Sequence, residues 1–213
     1  MRDFSAAIFD LDGTLIESMG VWEKIDINFL AERGLSVPEN YIEKITPMSF
    51  TEAARYTKNL FGLNESQTDI IGQWNRMAVH EYRNNIRLKN NAAEYLKELK
   101  CRNVKLGVAT ALPPALYEPC LDSNGIYDLF DAICSTGQVQ QGKEFPDIFL
   151  FAAEKLKTLP EACIVFEDIL PAVLSAKNAG MTVYGVFDKY SEDVKSEIMD
   201  IADGYIYDFK DAP

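Results

Sequence analysis

Asp10 and Asp12 close the apolar run Ala6-Ala7-Ile8-Phe9, and Glu167 and Asp168 close a second one, Ile164-Val165-Phe166. Carboxylates crowded together repel, and only a cation or a proton relieves the cost. Four of them at the ends of two short apolar segments therefore point to a divalent metal held by oxygen and to nucleophilic chemistry on a phosphate. Gly13, directly after Asp12, permits a sharp turn that brings main-chain amides close to an anion.

Competing readings of Asp-x-Asp-Gly fail on their spacing. An EF-hand loop counted from Asp10 needs oxygen ligands where the chain has Ile16 and Val21. Neither Gly-x-Gly-x-x-Gly nor Gly-x-x-x-x-Gly-Lys-Ser/Thr occurs, so dinucleotide and P-loop sites lack their signatures. The single histidine, His80, lies in a polar helical stretch and is expected at the surface, which sets aside histidine-based zinc sites and a Ser-His-Asp triad. Cys101, Cys120, Cys134 and Cys163 are dispersed among apolar neighbours and read as buried free thiols.

The elements that must position the carboxylates can be read from apolar spacing. Strands are expected at Ala6 to Leu11, Lys105 to Thr110, Asp131 to Thr136, Cys163 to Asp168, Thr182 to Phe187 and Tyr205 to Tyr207. Helical patterns lie between most of them, at Asn91 to Arg102, Pro113 to Ser123, Pro146 to Lys157, Pro171 to Asn178 and Ser191 to Ala202. Such alternation predicts an α/β fold, a doubly wound and mostly parallel sheet covered by helices on both faces. In that architecture the carboxyl ends of the strands face the ligand crevice. Roughly ninety residues that read as helix throughout separate the first two strands, and form an insert. Its helices are expected at Glu17 to Gly34, Pro38 to Ile45, Thr51 to Gly62 and Asn64 to Arg83, with a cap within Asn64-Glu65-Ser66-Gln67.

A chain of 213 residues, 47% of them hydrophobic, suffices for one full domain carrying a smaller insert. No apolar run approaches the roughly 20 residues that span a bilayer, and no cleavage signature follows Met1, so a cytoplasmic protein without membrane contact is expected. A net charge of −12 repels a phosphate backbone, and no basic stretch counters it, so nucleic acid is not an expected partner. A small phosphorylated metabolite remains compatible, because a metal and one or two basic side chains reverse the field inside a cleft.

Taken together, the motifs resemble those of the haloacid dehalogenase superfamily in its aspartate-nucleophile form. Phe9-Asp10-Leu11-Asp12-Gly13-Thr14-Leu15 is similar to the first motif, Leu106-Gly107-Val108-Ala109-Thr110 to the second, and Gly142-Lys143-Glu144-Phe145-Pro146-Asp147 to the third. Val165-Phe166-Glu167-Asp168, followed by Ala176-Lys177-Asn178-Ala179-Gly180-Met181, is similar to the fourth. The four occur in the family's order across the whole chain. The resemblance implies a nucleophile, Asp10, that forms an aspartyl phosphate, and a general acid and base, Asp12. It further implies phosphate binding by Thr110, Ala111 and Lys143, and Mg2+ held by the Asp10 carboxylate, the Asp12 carbonyl and Asp168, with Glu167 behind the metal or its water. An ordinary aspartate has a pKa of about 3.9, so Asp12 needs nearby negative charge or exclusion of water to serve as an acid.

The insert resembles the helical cap of the β-phosphoglucomutase and phosphoglycolate phosphatase branch. On that resemblance, residues 1–15 and 88–213 form the catalytic core and residues 16–87 the cap. Several positions depart from the pattern. Ile169-Leu170-Pro171-Ala172 stands where many relatives have Ser and then Gly, Leu112 where a Ser or Asn is common, and Glu144-Phe145 where Pro-Ala is usual. Trp22 occupies the register of the sugar mutase's hinge histidine, and Thr46-Pro47-Met48-Ser49-Phe50-Thr51 carries no basic residue for a second phosphate. Hydrolysis of a phosphate monoester is accordingly favoured. A phosphomutase and a noncatalytic phosphate- or metal-binding module are the alternatives. For Trp22, Phe50 and Trp74 two placements stand open, in the core of the insert or on a surface that stacks against substrate.

Overall fold

The computed structural model describes residues 4–45 and 48–213; Thr46 and Pro47 of the loop discussed above lie outside the described residues. It divides into two compact units, one comprising Met1–Met19 with Ile86–Pro213, the other Gly20–Asn85.

The first unit is built on a six-stranded sheet in the order β3-β2-β1-β4-β5-β6, parallel throughout. Its strands are β1 (Ala6–Phe9), β2 (Lys105–Thr110), β3 (Ala132–Ser135), β4 (Cys163–Glu167), β5 (Thr182–Val186) and β6 (Gly204–Ile206). Both faces are covered, as the near-continuous apolar runs require. On one face Ala6, Ile8 and Val165 pack among Ile148, Phe149 and Ala152 of α7 (Asp147–Lys155) and Val173 and Ala176 of α8 (Leu170–Asn178). On the other, Phe9 and Phe166 stack with centroids 4.9 Å apart, and Tyr95 of α5 (Ala92–Cys101) meets both edge-on. Such aromatic pairs contribute about 0.5–1.5 kcal/mol each beyond the area they bury. They lock β1 to β4 one residue short of the carboxylates. The topology reverses direction at β1: the chain goes to β2 and β3 on one side, then returns to β4 on the other. Ligands in open sheets of this kind bind at the carboxyl ends beside that reversal.

The second unit is helical: α1 (Val21–Ala31), α2 (Tyr41–Ile45), α3 (Phe50–Phe61) and α4 (Gln67–Asn84). Ser49 with Glu52, and Ser66 with Asp69, form capping boxes that satisfy the first amides of α3 and α4. Ser66 is therefore the cap expected within Asn64 to Gln67. Helix α1 starts at Val21 and not at Glu17. Gly20 before it adopts φ 83°, which a side chain resists, and Glu17 N–H donates instead to Arg87 O at 2.8 Å. The segment expected as one helix from Ser191 is split, into a 3-10 stretch at Lys189–Val194 and α9 (Lys195–Ile201). Of the four cysteines, all with free thiols, Cys101 is exposed and not buried. The buried stripe of α5 runs Ala92, Tyr95, Leu96, Leu99, and residue 101 falls about 200° round the helix from Leu99. His80 is exposed on α4, at the surface as expected. Among the described residues no helix is long and apolar enough to cross a membrane.

Candidate active site

Asp10 follows β1 and Glu167 ends β4. The register that pairs Phe9 with Phe166 continues into a hydrogen bond from Asp10 N–H to Phe166 O, 3.1 Å. The two carboxylates are thereby delivered side by side, and Asp168 follows at once. Ligand oxygens of Asp10, Glu167 and Asp168 lie within 4.8 Å of one another, all three buried.

One cation enters this cluster. Lys143, 8% exposed and just ahead of α7, donates to Asp10 Oδ1 at 2.5 Å and forms an ion pair with Glu167 Oε1. The other Glu167 oxygen accepts from Asp168 N–H, 3.1 Å. Asp168 is held from two sides, its Oδ1 accepting from Thr14 Oγ1–H at 2.9 Å and its Oδ2 from Ser191 Oγ–H at 3.1 Å. Asp12 lies past the end of β1 and is half-exposed; its Oδ1 accepts from Ser18 Oγ–H at 2.5 Å. Thr110, fully buried at the end of β2, accepts at its hydroxyl from Leu112 N–H, 3.1 Å. Ala111 is exposed beside it and lines, with Tyr117 and Ser135 to Gln138, a cavity of about 450 Å3.

Three buried carboxylates against one ammonium leave negative charge in excess. Burial pushes the Asp168 carboxyl up to about 7, the Asp10 charge adding to the rise while Thr14, Lys143 and Ser191 oppose it. Burial likewise raises Glu167, with Asp10 and Asp168 contributing and Lys143 opposing. Burial alone would lower Lys143, but Asp10 and Glu167 more than offset that and hold its ammonium above the ordinary lysine value. A buried donor set made only of oxygen, converging and short of positive charge, fits a hard divalent cation such as Mg2+.

Two substitutions follow from this geometry. Removing Lys143 leaves its carboxylate partners buried and unpaired, so Lys143→Met is expected to lose about 3–5 kcal/mol of stability. Part of that loss should return on adding Mg2+, measured as a steeper rise of the melting temperature with metal than in wild type; an unchanged metal-free Tm would contradict the pairing. Gly13 has φ 78°, and a Cβ built there overlaps the Asp168 carboxylate. Gly13→Ala should therefore destabilise by more than about 1–2 kcal/mol and weaken metal-induced stabilisation, both read by thermal unfolding with and without Mg2+.

The strand ends expected from the sequence bring Asp10, Glu167 and Asp168 together, the motif resemblance adds Lys143, and Thr110 lies at, with Asp12 and Ala111 just past, the ends of neighbouring strands. Sequence reasoning missed the hydroxyls of Thr14, Ser18 and Ser191. Thr14 lies inside the first motif, so its position was visible; Ser18 and Ser191 carry no spacing signal, because their partners are fixed by tertiary structure.

The model of the haloacid dehalogenase-like hydrolases matches residues 7–186. Hexitol phosphatase B of Escherichia coli is 26% identical over 84% of this chain and 82% of its own length. A bifunctional riboflavin kinase/FMN phosphatase of Arabidopsis thaliana is 30% identical over 85% of this chain, which spans only 48% of that protein. Among solved structures, CbbY of Rhodobacter sphaeroides with bound phosphate superposes with a TM-score of 0.76, covering 98% of this chain and 96% of that one at 24% identity, a likeness of fold.

Proposed function

The chain belongs to the haloacid dehalogenase-like hydrolase family, and from that premise we propose that it is a magnesium-dependent phosphatase acting on a small phosphate monoester through an aspartyl phosphate on Asp10. The observation that carries this reading is the meeting of Lys143 with Asp10 and Glu167 inside a buried cluster of oxygen ligands. Relatives such as hexitol phosphatase B support phosphoester hydrolysis and a metabolite-sized substrate.

Asp10 attacks phosphorus, forming the Asp10 O–P bond as the ester O–P bond breaks. Asp12 gives its proton to the departing alkoxide, then takes one from the water that attacks the phosphoenzyme and releases inorganic phosphate. Lys143 holds Asp10 at the attacking position and supplies positive charge to the phosphoryl oxygens as charge grows on them. Ser18 orients the Asp12 carboxyl through its hydrogen bond. Thr14 and Ser191 fix both oxygens of Asp168, and Glu167 fixes Lys143.

Asp10, Asp168 and the main-chain carbonyl of Asp12 are the ligands we assign to Mg2+. Bound there, the cation supplies Lewis acidity and screens the repulsion between Asp10 and a phosphate dianion. Thr110 and Ala111, at the end of β2, are assigned to the phosphate. The helical unit, with boundaries near residues 16 and 87, is assigned to choosing the leaving group. Four free thiols suit a reducing compartment, and we place the activity in the cytoplasm.

The test is phosphate release from a panel of phosphorylated metabolites with and without Mg2+. Release that requires the metal supports the proposal. No release across the panel, with the protein folded, would turn the assignment to a phosphomutase, which needs a bisphosphate activator.

A further inference from the structure

The helical unit encloses a cavity of about 270 Å3, lined in part by Trp22, Glu23, Asp26, Met48, Phe50 and Trp74. That is close to the small end of ligand pockets, roughly 300–1,000 Å3. Its walls are aromatic. The Trp22 and Phe50 rings meet at 87° with centroids 5.2 Å apart, and Phe50 and Trp74 at 79° and 6.2 Å, so three rings stand nearly orthogonal to their neighbours. Trp22 and Phe50 are 36% and 44% exposed and form an open rim, whereas Trp74 is 4% exposed. Of the two placements open from the sequence, Trp74 takes the core one, and the other two face solvent.

One polar group in this cavity lacks a partner. Asp26 is 9% exposed, and among the described residues no hydrogen bond or ion pair reaches its carboxyl, which burial pushes up to about 7. Holding this carboxyl largely buried without a partner is costly, and a cationic ligand that pairs with it reduces the cost. Among the described residues the lining contains no Lys or Arg, and its two charged residues are both acids, so a phosphate or other anion is repelled. Aromatic faces beside a carboxylate favour the opposite charge, since a ring quadrupole attracts a cation at its face.

We propose that this cavity binds a small organic ammonium. The ammonium sits against the aromatic walls and pairs with Asp26. The proposal stands on the helical unit alone and holds whether or not the catalytic assignment does.

The chain has only two tryptophans, Trp22 and Trp74, and both line the cavity, so intrinsic tryptophan fluorescence reports on this site. The full-length protein is titrated with choline, with its uncharged carbon isostere 3,3-dimethylbutan-1-ol, and with tetramethylammonium, at constant ionic strength. Choline is expected to give a saturable change in emission with at least about tenfold higher affinity than the isostere, in line with cation–π and ion-pair recognition. Asp26→Asn should abolish that preference. Trp22→Ala removes an exposed aromatic wall, so it should weaken choline and tetramethylammonium alike, and it serves if the Asp26 variant fails to fold. An isostere that binds as tightly as choline, or no saturable change with choline at millimolar concentration, overturns the proposal.

Discussion

Asp10→Asn is expected to abolish metal-dependent phosphate release, by roughly 10^4-fold or more, while the protein stays folded. The size follows from the role: an amide oxygen is a poor nucleophile and forms no stable phosphoenzyme, so the two-step route closes. Folding should survive for an electrostatic reason. Asp10, Glu167 and Asp168 outnumber Lys143, and removing one negative charge relieves the excess. The metal-free variant should therefore melt no lower than wild type, and it should lose most of the stabilisation that Mg2+ gives, because a ligand has gone. A variant that loses activity together with its fold would leave the chemistry of Asp10 unsupported. Thermal unfolding beside the kinetic assay separates the two.

Asp12→Asn should be nearly as damaging for an alkyl phosphate, about 10^2–10^4-fold in kcat, yet the loss should depend on the leaving group. An alkoxide needs a proton as it departs. A p-nitrophenolate does not, so the first step with p-nitrophenyl phosphate should survive while hydrolysis of the phosphoenzyme, which needs Asp12 as base, slows. Rapid mixing is expected to show a burst of p-nitrophenol close to one per enzyme, followed by slow turnover. Equal loss on both substrates without a burst would assign Asp12 to structure. Ser18→Ala, which removes the hydroxyl bound to Asp12 Oδ1, should act in the same sense but more weakly, since it loosens the carboxyl without removing it.

The catalytic cluster was legible because its signals are local. Each carboxylate pair sits directly behind a run of β-forming residues, and a parallel strand buried on both faces has to read as an unbroken apolar run. Lys143 was legible only through its motif, since a lone lysine between Gly142 and Glu144 looks solvated on composition, and in the structure it is 8% exposed. Ser18 and Ser191 were not legible. Each lies outside a regular helix, in stretches whose apolar spacing suggests helix, at Glu17 to Val21 and at Ser191 to Ile198. Tertiary bonds decide both places: Glu17 pairs with Arg87 across the chain, and Asp188 caps the 3-10 stretch while Ser191 reaches Asp168. The expectation of burial fails at Cys101, which Lys100 and Arg102 flank and which lies off the buried stripe of α5.

The most direct test of the account is chemical trapping of the phosphoenzyme. The protein is mixed with Mg2+ and an activated phosphate monoester, quenched during turnover, and treated with borohydride, which reduces an aspartyl phosphate to homoserine. Peptide mass analysis should then find homoserine at position 10 and at no other aspartate, and none when Mg2+ is omitted. Steady turnover with position 10 unmodified, or modification at another carboxylate, would contradict Asp10 as the nucleophile.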